Sequence, residues 1–147
     1  MRRVPFALLF VVALLVALPG GRDARAEPAV SEADRAAIRL VIERQIEAFR
    51  RDDGAAAFGL AAPAIRRQFG TPENFLGMVA RGYRPVYRPS DVAFGALVEI
   101  EGKLVQRVTV VGPDGRPVLA LYIMEQQPDG TWLINGCILA ESDEKST

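Results

Sequence analysis

The sequence predicts an α+β domain, with N-terminal helices packed on a curved antiparallel sheet of about four strands. Three observations carry that prediction. Ile38, Val41, Ile42, Ile46 and Phe49 recur at helical spacing, which marks an amphipathic helix with one buried stripe. Thr71-Pro72-Glu73 combines a cap, a proline at the first helical position and an acid in the first turn, so a second strong helix starts there. Beyond Val92 the chain is punctuated by Glu101-Gly102, Pro113-Asp114-Gly115 and Pro128-Asp129-Gly130, three turn signals that separate strand-like runs. Helices first and strands after is an α+β order.

The chain opens with Arg2 and Arg3, an apolar run from Val4 to Leu18, then Pro19-Gly20-Gly21 and Ala24-Arg25-Ala26. A basic region, an apolar core and a small-x-small exit make residues 1–26 a signal peptide cleaved after Ala26. The expected location is therefore the periplasm or the medium, and residues 27–147 form a single α+β domain. A retained anchor is the rival reading, but the run contains Pro5 and falls short of the roughly 20 residues a span requires. No cysteine lies near the cleavage point to accept a lipid. The Arg2-Arg3 pair leaves twin-arginine export open beside the Sec route.

Next come the helices. Ser31 with Asp34 resembles a capping box, and the first helix runs from there to about Arg51. Asp52-Asp53-Gly54 offers a stop at the glycine and a new cap at the aspartate. Ala55 to Ala62 is alanine-rich and suits close packing on a neighbouring helix. Pro63 begins a short turn that Gly70 ends, and the helix opened by Thr71 runs to about Gly82. Tyr83-Arg84-Pro85-Val86-Tyr87-Arg88-Pro89 holds two prolines and is expected to be extended.

Four strands are expected at about 91–100, 103–111, 117–126 and 131–140, joined as an antiparallel meander. Along 118–124, Val118, Ala120, Tyr122 and Met124 share one face and Leu119, Leu121 and Ile123 the other. Simple alternation in the last strand sets Leu133, Cys137 and Leu139 against Trp132, Ile134 and Ile138. Both faces are apolar, whereas an antiparallel sheet commonly leaves one face wet. The helices cover one. Either a second copy of the same sheet covers the other, giving an isologous homodimer, or the sheet curls around its own helix.

Composition excludes several functions. The chain balances 18 basic against 18 acidic residues; Arg2, Arg3, Arg22, Arg25 and Asp23 fall within residues 1–26, so the remainder is net acidic by three. With no basic block, neither nucleic acid nor an anionic membrane surface is an expected partner once the signal is cleaved. Cys137 is the single cysteine and there is no histidine. That rules out an intrachain disulfide, a histidine-based triad and most zinc or copper sites. No Asp-x-Asp-x-Asp-Gly loop appears for calcium, and no metal or cofactor is expected.

Several segments carry a closer likeness: Ile46-Glu47-Ala48-Phe49-Arg50-Arg51-Asp52-Asp53-Gly54, Gln68-Phe69-Gly70-Thr71-Pro72-Glu73, Gly82-Tyr83, Pro85-Val86-Tyr87-Arg88-Pro89, Val105-Gln106, Ala120-Leu121-Tyr122, Gln127-Pro128-Asp129-Gly130 and Gly136-Cys137. In these, spread over about 38–139, the chain resembles the bacterial family known as domain of unknown function 4864. A long first helix, smaller helices and a meander also resemble the nuclear transport factor 2-like, or cystatin-like, fold. That resemblance implies a sheet bent into a cone around the helix with a pocket inside. It implies no activity, because the wider fold hosts enzymes and binding modules alike.

The candidate site residues are polar groups at positions the pattern buries. Gln45 lies in the apolar stripe of the first helix, Gln106 shares a face with Leu104, Val108 and Val110, and Asn135 lies between Leu133 and Cys137. Each either points into a pocket to orient a ligand or is a buried amide satisfied by nearby backbone. Tyr83, Tyr87 and Tyr122 are either phenol donors to a ligand or rings that clamp and fill the core. Arg84 and Arg88 form either an anion fork or a solvated loop. No carboxylate lies mid-strand on an apolar face; Asp91, Glu99, Glu101 and Glu125 sit at strand ends. Cys137 reads as a small buried hydrophobe. The expected function is a non-enzymatic periplasmic module, a homodimer that binds a small apolar or amphiphilic ligand or a protein. Two alternatives stand beside it: an isomerase or hydratase using a tyrosine with a strand-end carboxylate, for which Tyr122 and Asp91 are the positions to replace, and an envelope assembly partner with no pocket.

Overall fold

The computed structural model describes residues 30–142; the expected signal peptide, residues 1–26, lies outside them. Among the described residues, five helices precede four strands: α1 (Glu32–Arg50), α2 (Gly54–Gly59), α3 (Pro63–Phe69), α4 (Pro72–Gly82), α5 (Arg84–Tyr87), β1 (Asp91–Ile100), β2 (Lys103–Val111), β3 (Pro117–Gln126) and β4 (Trp132–Glu141). The sheet is antiparallel throughout in the order β1-β2-β3-β4. The α+β order and the expected strand limits are those found. Among the described residues, no helix is long and apolar enough to cross a membrane.

Local chemistry explains each boundary. Ser31 Oγ accepts from the Asp34 backbone N–H at 3.0 Å and donates to Asp34 Oδ2 at 2.8 Å, which closes the first turn of α1. Along that helix Ile38, Ile42, Ile46 and Phe49 are buried, each worth about 1.5–3 kcal/mol of transfer from water. Thr71 Oγ1 caps α4 by accepting from Asn74 N at 3.2 Å, ahead of Pro72. Glu101 and Gly102, both at positive φ (50° and 78°), make the two-residue turn between β1 and β2.

Three sequence expectations are corrected. The stop of α1 is not at Gly54. Asp52 takes the left-handed position (φ 53°), with Asp53 N–H donating to Ala48 O at 2.8 Å and Asp52 N–H to Phe49 O at 3.0 Å, the paired bonds of a Schellman end. Gly54 instead opens α2, capped by Asp53, and a Cβ there would stand 3.2 Å from Pro72 O. The glycine lets α2 and α4 approach. Secondly, residues 84–87 form a helical turn rather than an extended segment: Val86 and Tyr87 both donate to Tyr83 O at 2.9 Å. Pro85 sits in the first turn, where a missing N–H costs nothing, and Pro89 keeps Arg88 out of helical geometry.

The third correction concerns β4. Ile123 pairs with Gly136 and Met124 with Ile134, so Asn135 is the extra residue of a bulge. Alternation breaks there. Trp132 and Ile134 share the core face with Cys137 and Leu139, and Ile138 is turned to the other face opposite Leu121. A second bulge, at Gly95-Ala96, interrupts β1 between Phe94 and Leu97.

Every strand residue in the core cluster comes from a single face, including Val108, Val110, Ala120, Tyr122 and Met124. The helices pack on that side. Two ties hold β4 beneath them: the α2–α3 junction pairs with Ile134 (Ala62 N–H to Ile134 O at 2.8 Å, Ile134 N–H to Leu60 O at 3.0 Å), and Trp132 Nε1 donates to Asp34 Oδ1 at 2.9 Å. The opposite face carries Leu119, Leu121, Ile123 and Ile138, with Ile138 54% exposed.

Candidate functional site

Helix α1 supplies Gln45 and Phe49, α3 supplies Ile65, Gln68 and Phe69, and α4 supplies Phe75, Met78 and Val79; with strands β3 and β4 they line a partly open pocket of ≈ 450 Å³. Its wall is an aromatic cluster in which Phe75 lies 5.9 Å from Phe49 and 5.6 Å from Phe69, ring centre to ring centre. Gln68 is exposed and Tyr83 half-buried, so both belong to the rim. The floor is Tyr122, held in the ladder between Gln106 and Cys137 and 0% exposed. Its hydroxyl is buried and has no hydrogen-bond partner among the described residues. Native proteins leave few such groups unmet.

Of the six candidate residues, three meet in this pocket: Gln45, Tyr83 and Tyr122. Gln45 is buried, and its Nε2 donates to Ala57 O at 3.1 Å. The other three lie elsewhere. Gln106 spends its Nε2 on Gly95 O and Arg107 O, both at 2.9 Å, and so fills the β1 bulge from the neighbouring strand. Asn135 occupies the β4 bulge and lines a shallow groove with Lys103 and Gln126. Tyr87 donates to Asp52 Oδ1, and Arg88 Nη2 donates to Asp52 Oδ2 at 2.9 Å. The Arg88 guanidinium also lies over the Tyr87 ring at 4.0 Å and donates to Phe49 O. Tyr87, Arg88 and Asp52 therefore latch α5 to the end of α1.

A family model described as a domain of unknown function, DUF4864, matches residues 31–147. The chain belongs to that family. A comparison with curated proteins gives no significant match. Among solved structures, an NTF-2 like protein of unknown function from Burkholderia xenovorans LB400 is similar, at 16% identity, over 76% of this chain and 89% of that one, with a TM-score of 0.44.

The electrostatics of the DUF4864 domain set its two tyrosines apart. Burial, with a smaller contribution from nearby Cys137, pushes the Tyr122 phenol well above its ordinary range. Burial likewise pushes the Cys137 thiol up to about 12. Both stay neutral at physiological pH, so the floor offers hydrogen-bond donors and no nucleophile. At the latch, the Tyr87 hydrogen bond first and Arg88 second hold the Asp52 carboxyl below its ordinary value. Among the described residues, no charged side chain lines the pocket. Asp91 lines a separate groove with Arg39 and Glu43, and no cluster of three or more metal-ligating side chains occurs among the described residues.

Sequence reasoning missed two features. The aromatic wall is legible afterwards as Phe69 and Phe75 flanking the Thr71-Pro72 cap, but three phenylalanines on three helices share no single period. The placement of Cys137 beside Tyr122 was hidden by the bulge at Asn135, which no residue in β4 announces.

Proposed function

We propose that this DUF4864 domain is an exported, non-catalytic binding module that holds a small, largely apolar molecule under its helices and works as a homodimer. The observation that carries the reading is a mostly apolar pocket of ≈ 450 Å³ whose lining includes Tyr122, a residue with a buried hydroxyl that has no hydrogen-bond partner among the described residues. A phenylalanine would fill the same space without leaving a donor unmet, and an unmet buried donor costs about 1–3 kcal/mol. A bound acceptor removes that cost. The pocket falls within the common size range of small-molecule sites, about 300–1,000 Å³, and its lining is mostly apolar.

Export is supported by the basic, apolar and small-residue pattern of residues 1–26. Dimerisation is supported by the outer face of the sheet, where Leu119, Leu121, Ile123 and Ile138 form an apolar surface that no described helix covers. The catalytic alternative, a tyrosine working with a strand-end carboxylate, draws no support from the pocket lining, which among the described residues holds no Asp or Glu; Asp91 lines another groove.

Native mass spectrometry of the full chain, expressed with its own leader and purified from a bacterial periplasm, tests the reading. The expected result is a dimer starting at Glu27 that carries a dissociable small mass. Retention in the cytoplasm overturns export, a monomer overturns the dimer, and a bare chain that shows no thermal shift with any apolar compound overturns the binding module.

A further inference from the structure

Resting on the binding-module reading, we infer that the ligand of this pocket is an uncharged carbonyl compound (a ketone, ester or lactone) whose oxygen accepts the Tyr122 hydroxyl proton in a hydrogen bond. Three features of the floor select that chemistry. The Tyr122 hydroxyl is buried, and no acceptor among the described residues reaches it. The amide nitrogen of Gln45, the other buried polar side chain of the lining, already donates to Ala57 O at 3.1 Å, whereas the phenol makes no hydrogen bond among the described residues. Cys137, across the ladder from Tyr122, carries a thiol that burial keeps protonated and adds a second weak donor rather than a competing acceptor.

The absence of charge in the lining decides between ligand classes. The residues that enclose the pocket include no Arg, Lys, Asp or Glu. A carboxylate or phosphate seated at Tyr122 would give up its water against apolar walls with no counter-charge, which is a heavily unfavourable exchange. A pure hydrocarbon would fill the walls and leave the phenol unmet. A neutral carbonyl satisfies both walls and floor. The ≈ 450 Å³ holds roughly fifteen water-sized groups at about 30 Å³ each, which fits a medium alkyl chain or a substituted single ring. Sites built to hydrogen-bond a particular group discriminate strongly against analogues that lack it.

Ligand-observed NMR titration of the intact domain with two matched series tests this. One series is 2-nonanone, nonane and nonanoate; the other is butyrophenone, butylbenzene and 4-phenylbutyrate. The expected result is that in at least one series the ketone binds tenfold or more tighter than the hydrocarbon and the carboxylate. In Tyr122→Phe, shown to be folded by its cooperative melt, the ketone should lose its advantage and bind no tighter than the hydrocarbon binds to the same variant. Equal binding of ketone and hydrocarbon by the wild-type chain overturns the inference while leaving the binding module standing. Tighter binding of the carboxylate does the same and points to a cation reached from the rim. No binding by any of the six overturns the module and this inference together.

Discussion

Tyr87 and Tyr122 carry the same phenol into opposite surroundings. At the latch, Tyr87 gives its proton to Asp52 and its ring face to Arg88, and the group is spent on joining α5 to α1. On the pocket floor, Tyr122 is wholly enclosed and its hydroxyl meets nothing. The first is a tyrosine that folding uses, and the second is a tyrosine whose ring folding uses and whose hydroxyl it does not. A hydroxyl that serves the fold belongs in a stability argument; one that serves nothing in the fold belongs in an argument about what binds.

Phe49 joins the two regions, because its ring lines the pocket and lies 6.5 Å from the Tyr87 ring while its carbonyl accepts from Arg88. Phe49→Ala should therefore break both and give the largest effect, a loss of about 3–5 kcal/mol in denaturant unfolding. A loss below about 1 kcal/mol would mean that neither region depends on that ring. Arg88→Ala should come next and touch the latch alone. We expect a loss of about 1 kcal/mol, held down by solvent at a half-exposed side chain, with pocket affinity for an apolar probe unchanged. A matching fall in pocket affinity would show that latch and floor are one unit.

Acid sharpens the same contrast. Asp52 at the latch and Asp34 at the Trp132 contact are both held below the ordinary carboxylate value, by hydrogen bonds from Tyr87 and Trp132 respectively before all other causes. A carboxyl depressed in the folded state takes up its proton first in the unfolded chain, so falling pH favours unfolding. The stability they contribute is complete above about pH 4, the ordinary carboxylate range, and is lost as pH falls through the lower folded values. In Asp52→Asn that acid-sensitive part should shrink, as read by melting temperature against pH between pH 6 and pH 2. The Tyr122 floor, neutral across this window, should add nothing to the slope.

Legibility in the sequence followed locality. The hairpin turns and the caps at Ser31 and Thr71 are written in a few adjacent residues, and the strand limits fell where those turns placed them. Gln45 and Tyr122 were legible as inward-facing because helical spacing and strand alternation hold without interruption around them. What failed depended on partners distant in the chain. The left-handed Asp52 takes a position that glycine would occupy more easily, and its carboxylate is held by residues on α5 that no local pattern links to it. The bulge at Asn135 reverses which residues of β4 face the core, and only the pairing with β3 reveals it. Gln106 was read correctly as inward, yet its amide serves a bulge on the next strand rather than a ligand.

The most direct test of the central claim is to melt Tyr122→Phe and Tyr87→Phe beside the wild-type chain in the absence of ligand. Tyr87→Phe should melt lower, because Asp52 loses one of its two side-chain donors. Tyr122→Phe should melt no lower than wild type, and slightly higher if removal of the unmet hydroxyl relieves its burial cost. If Tyr122→Phe is destabilised as much as Tyr87→Phe, the hydroxyl serves the fold itself, and the pocket floor is not a donor held for a ligand.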